Sequence, residues 1–142
     1  MTDTWRERPF APAAGKVLCG VDDLPRDNGR ELVFGSGPRT FRLALFRVDA
    51  PPGVTGDATA RASEPARVRA YLNECPHAGT PLQYNEQDTF CVFDIDGQRD
   101  LLCPHHSAMF HLEDGRCYDG PCNGDRLTPV DVVVDGGKVI VA

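Results

Sequence analysis

Alternating apolar and polar residues are the main pattern along this chain, and they predict β-strands rather than helices. The clearest examples are FRLALF at residues 41–46 and RVRAYL at residues 67–72. A repeat of two residues is typical of strands, because successive side chains point to opposite faces of a sheet. The second run predicts a half-buried strand that leads directly into Cys75.

Turn-forming residues separate the apolar runs at short intervals. Asp135-Gly136-Gly137 lies between VVV and VIV and predicts a hairpin, and Glu113-Asp114-Gly115 predicts a second turn. Residues 89–95, followed by Asp96-Gly97, predict an extra or elongated hairpin. The Pro/Gly-rich residues 50–65 predict a long exposed loop. Short strands joined by tight turns favour an all-β fold of antiparallel sheets.

Length and composition limit the possible classes of protein. The chain has 142 residues, and we expect residues 1–142 to form a single domain. A hydrophobic content of 41% with 25% charged residues is typical of a soluble globular protein. The net charge of −6 disfavours nucleic acid and anionic membranes as partners. The sequence has no apolar run of membrane-spanning length and no signal-peptide pattern, so we expect a cytoplasmic protein with no membrane partner.

Two short clusters carry the chemistry of the sequence: Cys75-Pro76-His77 and Cys103-Pro104-His105-His106. Each offers one Cys and one His in a segment that Pro or Gly helps to turn. Two thiolates and two imidazoles make a four-ligand metal site. Zinc accepts this set, but zinc motifs usually pair Cys with Cys and His with His. A [2Fe–2S] cluster of the Rieske kind needs two Cys on one iron and two His on the other, which accounts for the mixed pairs.

At these residues the chain resembles the Rieske iron–sulfur family, over CPHAGTPL at 75–82 and LCPHHSAMFHLEDGRCYDGPCNG at 102–124. The resemblance implies one [2Fe–2S] cluster with four ligands: Cys75 and Cys103 on the inner iron, and His77 and His106 on the outer iron. It also implies a proline loop, about residues 117–124, that covers the cluster. The predicted architecture is an antiparallel β-sandwich with a small cluster-binding lobe, about residues 73–111.

Several residues leave alternatives open. His105 also follows the second Cys, so either His105 or His106 could be the ligand, and the C-x-x-H spacing favours His106. Ser107 stands where the family usually has Gly. Cys117 and Cys122 could close a small disulfide or stay reduced, and a reducing cytosol favours free thiols.

The ligand set also predicts the reduction potential. Two thiolates offset the charge of an oxidised [2Fe–2S] core, so the site is close to neutral and accepts an electron more easily than an all-Cys site. Rieske centres accordingly lie at about −150 to +300 mV, against about −400 mV for plant-type ferredoxins. Respiratory members carry an extra Cys in each loop and a Ser near the cluster. Thr80, His105 and Ala108 occupy those positions here, so we predict a low-potential centre.

These features predict a soluble Rieske-type ferredoxin, a one-electron carrier between a flavin reductase and a terminal oxygenase. One alternative is an accessory subunit bound to a large reductase subunit, similar to the small subunit of assimilatory nitrite reductase. A second is a structural zinc-binding interaction module. The sequence contains no nucleophile–base pair, no Gly-rich phosphate loop and no dinucleotide motif. We therefore expect an electron-transfer component that turns over no substrate on its own.

Overall fold

The computed structural model of the chain is built from β-strands. It describes residues 4–24, 28–37, 40–48, 67–74, 82, 90–95, 98–103, 108–120 and 124–142. Within these ranges, eleven strands form three antiparallel sheets, and the helices are two short 3₁₀ segments, Thr4–Glu7 and Val21–Asp23. No helix in the described ranges is long and apolar enough to cross a bilayer. The predicted all-β antiparallel fold is confirmed.

The three sheets are named here A, B and C, with their strands given in spatial order. Sheet A consists of β1 (Val17–Gly20), β11 (Lys138–Val141) and β10 (Val132–Asp135). Sheet B consists of β2 (Gly29–Phe34), β3 (Phe41–Arg47), β4 (Val68–Leu72) and β9 (Pro129–Val130). Sheet C consists of β5 (Cys91–Ile95), β6 (Gln98–Cys103), β7 (Ala108–His111) and β8 (Cys117–Asp119).

Sheet B lies between the other two sheets and buries side chains on both of its faces. The A–B core consists of Trp5, Val21, Leu24, Phe41, Leu43, Leu45, Val68, Ala70, Leu72, Val130, Val139 and Val141. The B–C core consists of Ala44, Phe46, Val48, Tyr71, Leu82, Phe90, Leu101, Cys103, Ala108, Phe110, Leu112, Cys117 and Leu127. Alternate residues of β3 enter the two cores in turn, because side chains of a strand point to opposite faces.

Strand β4 differs from its sequence-based prediction on one face. Val68 and Leu72 are buried in the A–B core as expected for a half-buried strand. Tyr71, on the opposite face, is also buried and is 1% exposed, and its hydroxyl donates to the Leu112 carbonyl at 2.7 Å. The sequence pattern does not predict this second buried face, because Tyr71 follows Arg67 and Arg69 on the polar side of the alternation and only its hydroxyl partner explains its burial.

The predicted turns are confirmed where the structure describes them. Asp135 pairs with Lys138, so Gly136 and Gly137 form a two-residue hairpin loop. Both glycines have positive φ, 58° and 78°, as a type I′ turn requires. The chain also reverses between β7 and β8, and β5 pairs with β6 as the additional hairpin. The expected loop over residues 50–65 lies outside the described residues.

Candidate metal centre

Cys103 is the predicted ligand that lies within the described residues. It is the last residue of β6, and its side chain is fully buried in the B–C core. The following predicted site residues lie outside the described ranges: Cys75, His77, Thr80, His105, His106, Ser107, Pro121 and Cys122. Within the described ranges, no group of three or more His, Cys, Asp and Glu side chains could hold a metal ion.

Strands β6 and β7 position the second predicted ligand segment. Cys103 pairs with Ala108 across the two strands, so residues 104–107 connect directly neighbouring strand ends. Both side chains are fully buried in the B–C core, and opposed residues of an antiparallel pair have Cβ atoms about 5 Å apart. A buried thiol at the end of a strand fits the donor that the inner iron of a Rieske cluster requires.

Strand β4 and the two residues after it lead into the first predicted ligand segment. Asn73 is 4% exposed, and its side-chain carbonyl accepts a hydrogen bond from the Leu82 amide at 2.8 Å. The guanidinium of Arg8 binds the Glu74 carboxylate through two hydrogen bonds of 2.7 and 3.2 Å. The buried hydrogen bond between Asn73 and Leu82 therefore joins the residues on the two sides of residues 75–81.

A single core joins the residues that flank the three predicted segments of the site. Leu82 lies at the end of the first ligand segment, Cys103 begins the second and Ala108 follows it, and Cys117 begins the predicted proline loop. All four side chains lie in the B–C core. Gly120 has a φ of 97°, a conformation that L side chains rarely adopt, so glycine suits the entry to that loop.

A polar cluster centred on the buried Asp100 lies on the face of β6 opposite Cys103. Asp100 is 2% exposed, its Oδ1 lies 3.0 Å from Nδ1 of His111, and its Oδ2 accepts a hydrogen bond from the Tyr118 hydroxyl at 2.8 Å. The His111 and Tyr118 rings are stacked, with centroids 4.1 Å apart. Burial and the hydrogen bond to Asp100 raise the pKa of Tyr118 to about 12. The cluster links β6, β7 and β8, and it gives His111 a structural partner.

Sequence reasoning missed the roles of Asn73 and Asp100. Asp100 left one signal, since it is a carboxylate in the short run DLLC that ends at a predicted ligand. Asn73 left a weaker signal, because asparagine after a strand is common wherever the chain turns. Only the positions of Leu82 and His111 in the fold reveal what these two side chains bind.

Comparison with known proteins identifies the family. The family model of the Rieske [2Fe–2S] domain matches residues 16–134. None of the curated protein sequences matches the chain significantly.

Three solved structures illustrate the similarity of fold. A proposed small subunit of an NADPH nitrite reductase is 22% identical with a TM-score of 0.58, and the match covers 92% of this chain and 99% of that one. A proposed NADH-dependent nitrite reductase small subunit from Mycobacterium tuberculosis is 23% identical with a TM-score of 0.58, covering 89% and 91%. The ferredoxin of carbazole 1,9a-dioxygenase from Nocardioides aromaticivorans IC177 is 21% identical with a TM-score of 0.53, covering 92% and 98%.

The family match confirms the resemblance that the two Cys–His clusters suggested, and with it the predicted cofactor. Rieske domains bind a [2Fe–2S] cluster and transfer electrons, so the match favours the cluster over a structural zinc ion. The buried Cys103 thiol is compatible with that group. Because the family model matches more than four fifths of the chain, this chain belongs to the Rieske [2Fe–2S] domain family.

Proposed function

We propose that this protein is a low-potential one-electron carrier of the ferredoxin type. Its proposed ligands are Cys75 and Cys103 on the inner iron, and His77 and His106 on the outer iron. When bound, the [2Fe–2S] cluster supplies a centre that is reduced and oxidised by one electron. The chain itself contributes the ligands, the buried setting of the thiolate side and the walls that limit access of water.

The observation that carries the proposal is the shared core beneath the three segments. Leu82, Cys103, Ala108 and Cys117 are all fully buried in the B–C core. The ends of each connection are also in contact: Cys103 pairs with Ala108, the Leu82 amide donates to Asn73, and the Gly124 amide donates to the Cys117 carbonyl. Two facing ligand loops and a covering loop need such closely spaced ends. The cluster-binding lobe, about residues 73–111, and the proline loop, about residues 117–124, are part of this proposal.

Ala108 supports the low potential. Its methyl group lies opposite Cys103 in the β6–β7 pair and cannot donate a hydrogen bond to a cluster sulfur. Hydrogen bonds to the sulfurs stabilise the more negative, reduced form and therefore raise the potential. A centre with fewer donors remains in the lower part of the Rieske range.

The proposed partners are redox proteins, with a flavin reductase as donor and a terminal oxygenase as acceptor. The net charge of −6 suits a partner with a basic docking surface, because opposite charges steer the encounter. A carrier that must dissociate after each transfer needs a small contact area and weak affinity. We also propose a cytoplasmic location, where such partners are found.

A second candidate is an accessory subunit in a stable complex with a large reductase subunit. The observation that favours it is that two proposed nitrite reductase small subunits have TM-scores of 0.58, against 0.53 for one dioxygenase ferredoxin. Size-exclusion chromatography of the native protein from its own cells distinguishes the two candidates. A free shuttle elutes as the chain alone, whereas an accessory subunit elutes with its large partner.

The decisive test is absorption and EPR spectroscopy before and after reduction with dithionite, together with iron and acid-labile sulfide analysis. We expect a coloured protein whose reduced form gives a Rieske-type EPR signal. A colourless protein that holds one zinc ion and no sulfide would contradict the proposal.

A matched pair of variants tests the assignment of the second histidine ligand. His106→Ala should abolish the Rieske spectrum, because it removes a ligand to the outer iron. His105→Ala changes the neighbouring histidine and should leave the spectrum unchanged. The opposite result would assign the ligand to His105 and leave the family membership intact.

A further inference from the structure

Asn73 connects the two ends of the first predicted ligand segment. It follows β4 directly, and its Oδ1 accepts a hydrogen bond from the amide of Leu82, nine residues further along, at 2.8 Å. Asn73 is 4% exposed and Leu82 is fully buried. A buried hydrogen bond of this length closes a loop at its base and removes much of the conformational freedom of the residues between.

The other end of the Asn73 side chain is also held. Nδ2 donates to Oε2 of Glu31 at 2.6 Å, and the same carboxylate oxygen accepts a hydrogen bond from Nε of Arg42, also at 2.6 Å. The backbone amide of Asn73 donates to the Arg42 carbonyl at 3.0 Å. The Glu31 carboxylate can only accept, so it binds the NH₂ group of Asn73, and the Leu82 amide can only donate, so it binds the carbonyl group of Asn73. The two partners therefore fix the orientation of the side-chain amide.

We infer that Asn73 is a positioning residue that closes the loop over residues 75–81 and so holds Cys75 and His77 in place for the cluster. The inference rests on the ligand set proposed above. Asn73 does not itself bind iron. It positions the residues that do, and Glu31 and Arg42 fix the orientation of Asn73.

The chain offers a matched control in Asn28, which makes the same kind of contact elsewhere. Its Oδ1 accepts hydrogen bonds from the amides of Phe90 at 2.6 Å and Gly29 at 2.8 Å. Phe90 follows residues 83–89, a segment that contains no predicted ligand. Asn73→Leu removes the acceptor of the Leu82 amide, and Asn28→Leu removes the acceptor of the Phe90 and Gly29 amides. Only the Leu82 amide lies at the end of a predicted ligand segment.

The experiment compares Asn73→Leu with Asn28→Leu in the cluster-loaded, full-length protein. The measurements are the half-life of the visible circular dichroism of the cluster, the EPR g-values of the reduced protein and the thermal unfolding midpoint. We expect Asn73→Leu to lose the cluster about 10- to 100-fold faster than the wild type and to shift its g-values. Asn28→Leu should keep the wild-type g-values and the wild-type cluster lifetime at temperatures where it stays folded.

A second comparison applies even if Asn73→Leu fails to fold. Asn73→Asp keeps an acceptor for the Leu82 amide but sets a carboxylate against that of Glu31, so like charges push the side chain out of place. Adding Glu31→Gln turns the contact into an amide–carboxylate hydrogen bond and restores the original net charge. We expect the double variant to retain the cluster several-fold longer than Asn73→Asp alone.

The outcomes separate this inference from the proposed function. If the wild-type protein binds no [2Fe–2S] cluster, the proposed function itself is wrong. If the wild type binds the cluster and Asn73→Leu matches Asn28→Leu in cluster lifetime and g-values, the positioning role of Asn73 is wrong. The same conclusion follows if Glu31→Gln fails to restore the lifetime that Asn73→Asp shortens.

Discussion

The two cores on either face of sheet B differ in what they contain. The described members of the A–B core carry aliphatic and aromatic side chains, of which Trp5 and Phe41 are the largest. The B–C core includes Cys103, Cys117 and a tyrosine whose hydroxyl needs the Leu112 carbonyl. The A–B core has no cysteine among its buried members, although half-buried Cys19 packs against it, whereas the B–C core buries two thiols.

The connections between strands of sheet A and of sheet C also differ in whether they contain reactive side chains. Sheet A ends in the two-glycine hairpin loop of Gly136 and Gly137, which carries no reactive side chain. On the other side, β6 and β7 are joined through residues 104–107, where the sequence predicts a histidine ligand. If the ligands proposed above are correct, the redox site belongs to the B–C half, and the A–B half forms the base beneath it.

The strongest test of this comparison is to remove a thiol from sheet C. Cys103→Ser should abolish cluster binding, because it replaces a buried proposed ligand at the end of β6. Cys91→Ser is the matched control, since Cys91 is a half-buried free cysteine of the neighbouring strand with no proposed ligand role. Iron and sulfide analysis checks both, and equal cluster content in the two variants would contradict the assignment of Cys103.

A pair of leucines tests whether the two cores have separate roles. Leu45 and Leu101 are both 0% exposed, one in the A–B core and the other in the B–C core. Leu45→Ala and Leu101→Ala should each lower the free energy of unfolding by about 2–5 kcal/mol, measured by urea denaturation. At a temperature where both variants stay folded, only Leu101→Ala should shorten the lifetime of the cluster. If Leu45→Ala shortened it equally, the division of roles would be wrong.

A smaller change adds a hydrogen-bond donor beside Cys103. Ala108→Ser places a hydroxyl opposite the buried thiol, where it can donate to sulfur and stabilise the reduced form. One such bond to a charged group corresponds to an increase of about 60 mV or more in a one-electron potential. Protein-film voltammetry measures the shift, with Ala108→Cys as a control of similar size and weaker donor strength. An unchanged or lower potential would show that residue 108 is too far from the cluster to matter.

The smallest expected effect concerns stability at alkaline pH. The pKa of Tyr118 is raised from 10.0 to about 12, so the unfolded chain loses this proton at lower pH than the folded chain does. The free energy of unfolding therefore falls as the pH rises from about 10 to 12. Tyr118→Phe should reduce this fall by about 1 kcal/mol, since the partly exposed ring weakens the effect.

Urea denaturation at several alkaline pH values measures that difference. Burial also raises the pKa of Tyr71, so part of the alkaline loss of stability should remain in the variant. Identical pH dependence in Tyr118→Phe and the wild type would mean that the Asp100 cluster has no effect on this titration.

Much of the fold could be predicted from local patterns, because strands and tight turns have short sequence signatures. The hairpin at Gly136 and Gly137 follows from the glycines, and the β5–β6 pair follows from the apolar run before Asp96-Gly97. The burial of Tyr71 and Trp5 could not be predicted in this way. It depends on contacts between residues far apart in sequence, which no local pattern encodes.

The same limit applies to the candidate site. The ligand types and their spacing point to a [2Fe–2S] cluster, since few other groups need one Cys and one His from each of two turns. The contact of Asn73 with Leu82 and that of Asp100 with His111 bring together residues 9 and 11 positions apart. These supporting contacts become apparent only after the strands are paired. Cys75, His77 and His106 stay predictions as ligands.

Strand β3 contributes side chains to both cores, and this restricts how its sequence can vary. Leu43 and Leu45 pack in the A–B core, whereas Ala44 and Phe46 pack in the B–C core. A change of side-chain volume at the first pair therefore disturbs the packing against sheet A, and a change at the second pair disturbs the packing against sheet C. Strand β10 is freer, because Val133 is 49% exposed. A library randomised over β3 would contain few folded members, and one randomised over the outward positions of β10 would contain many.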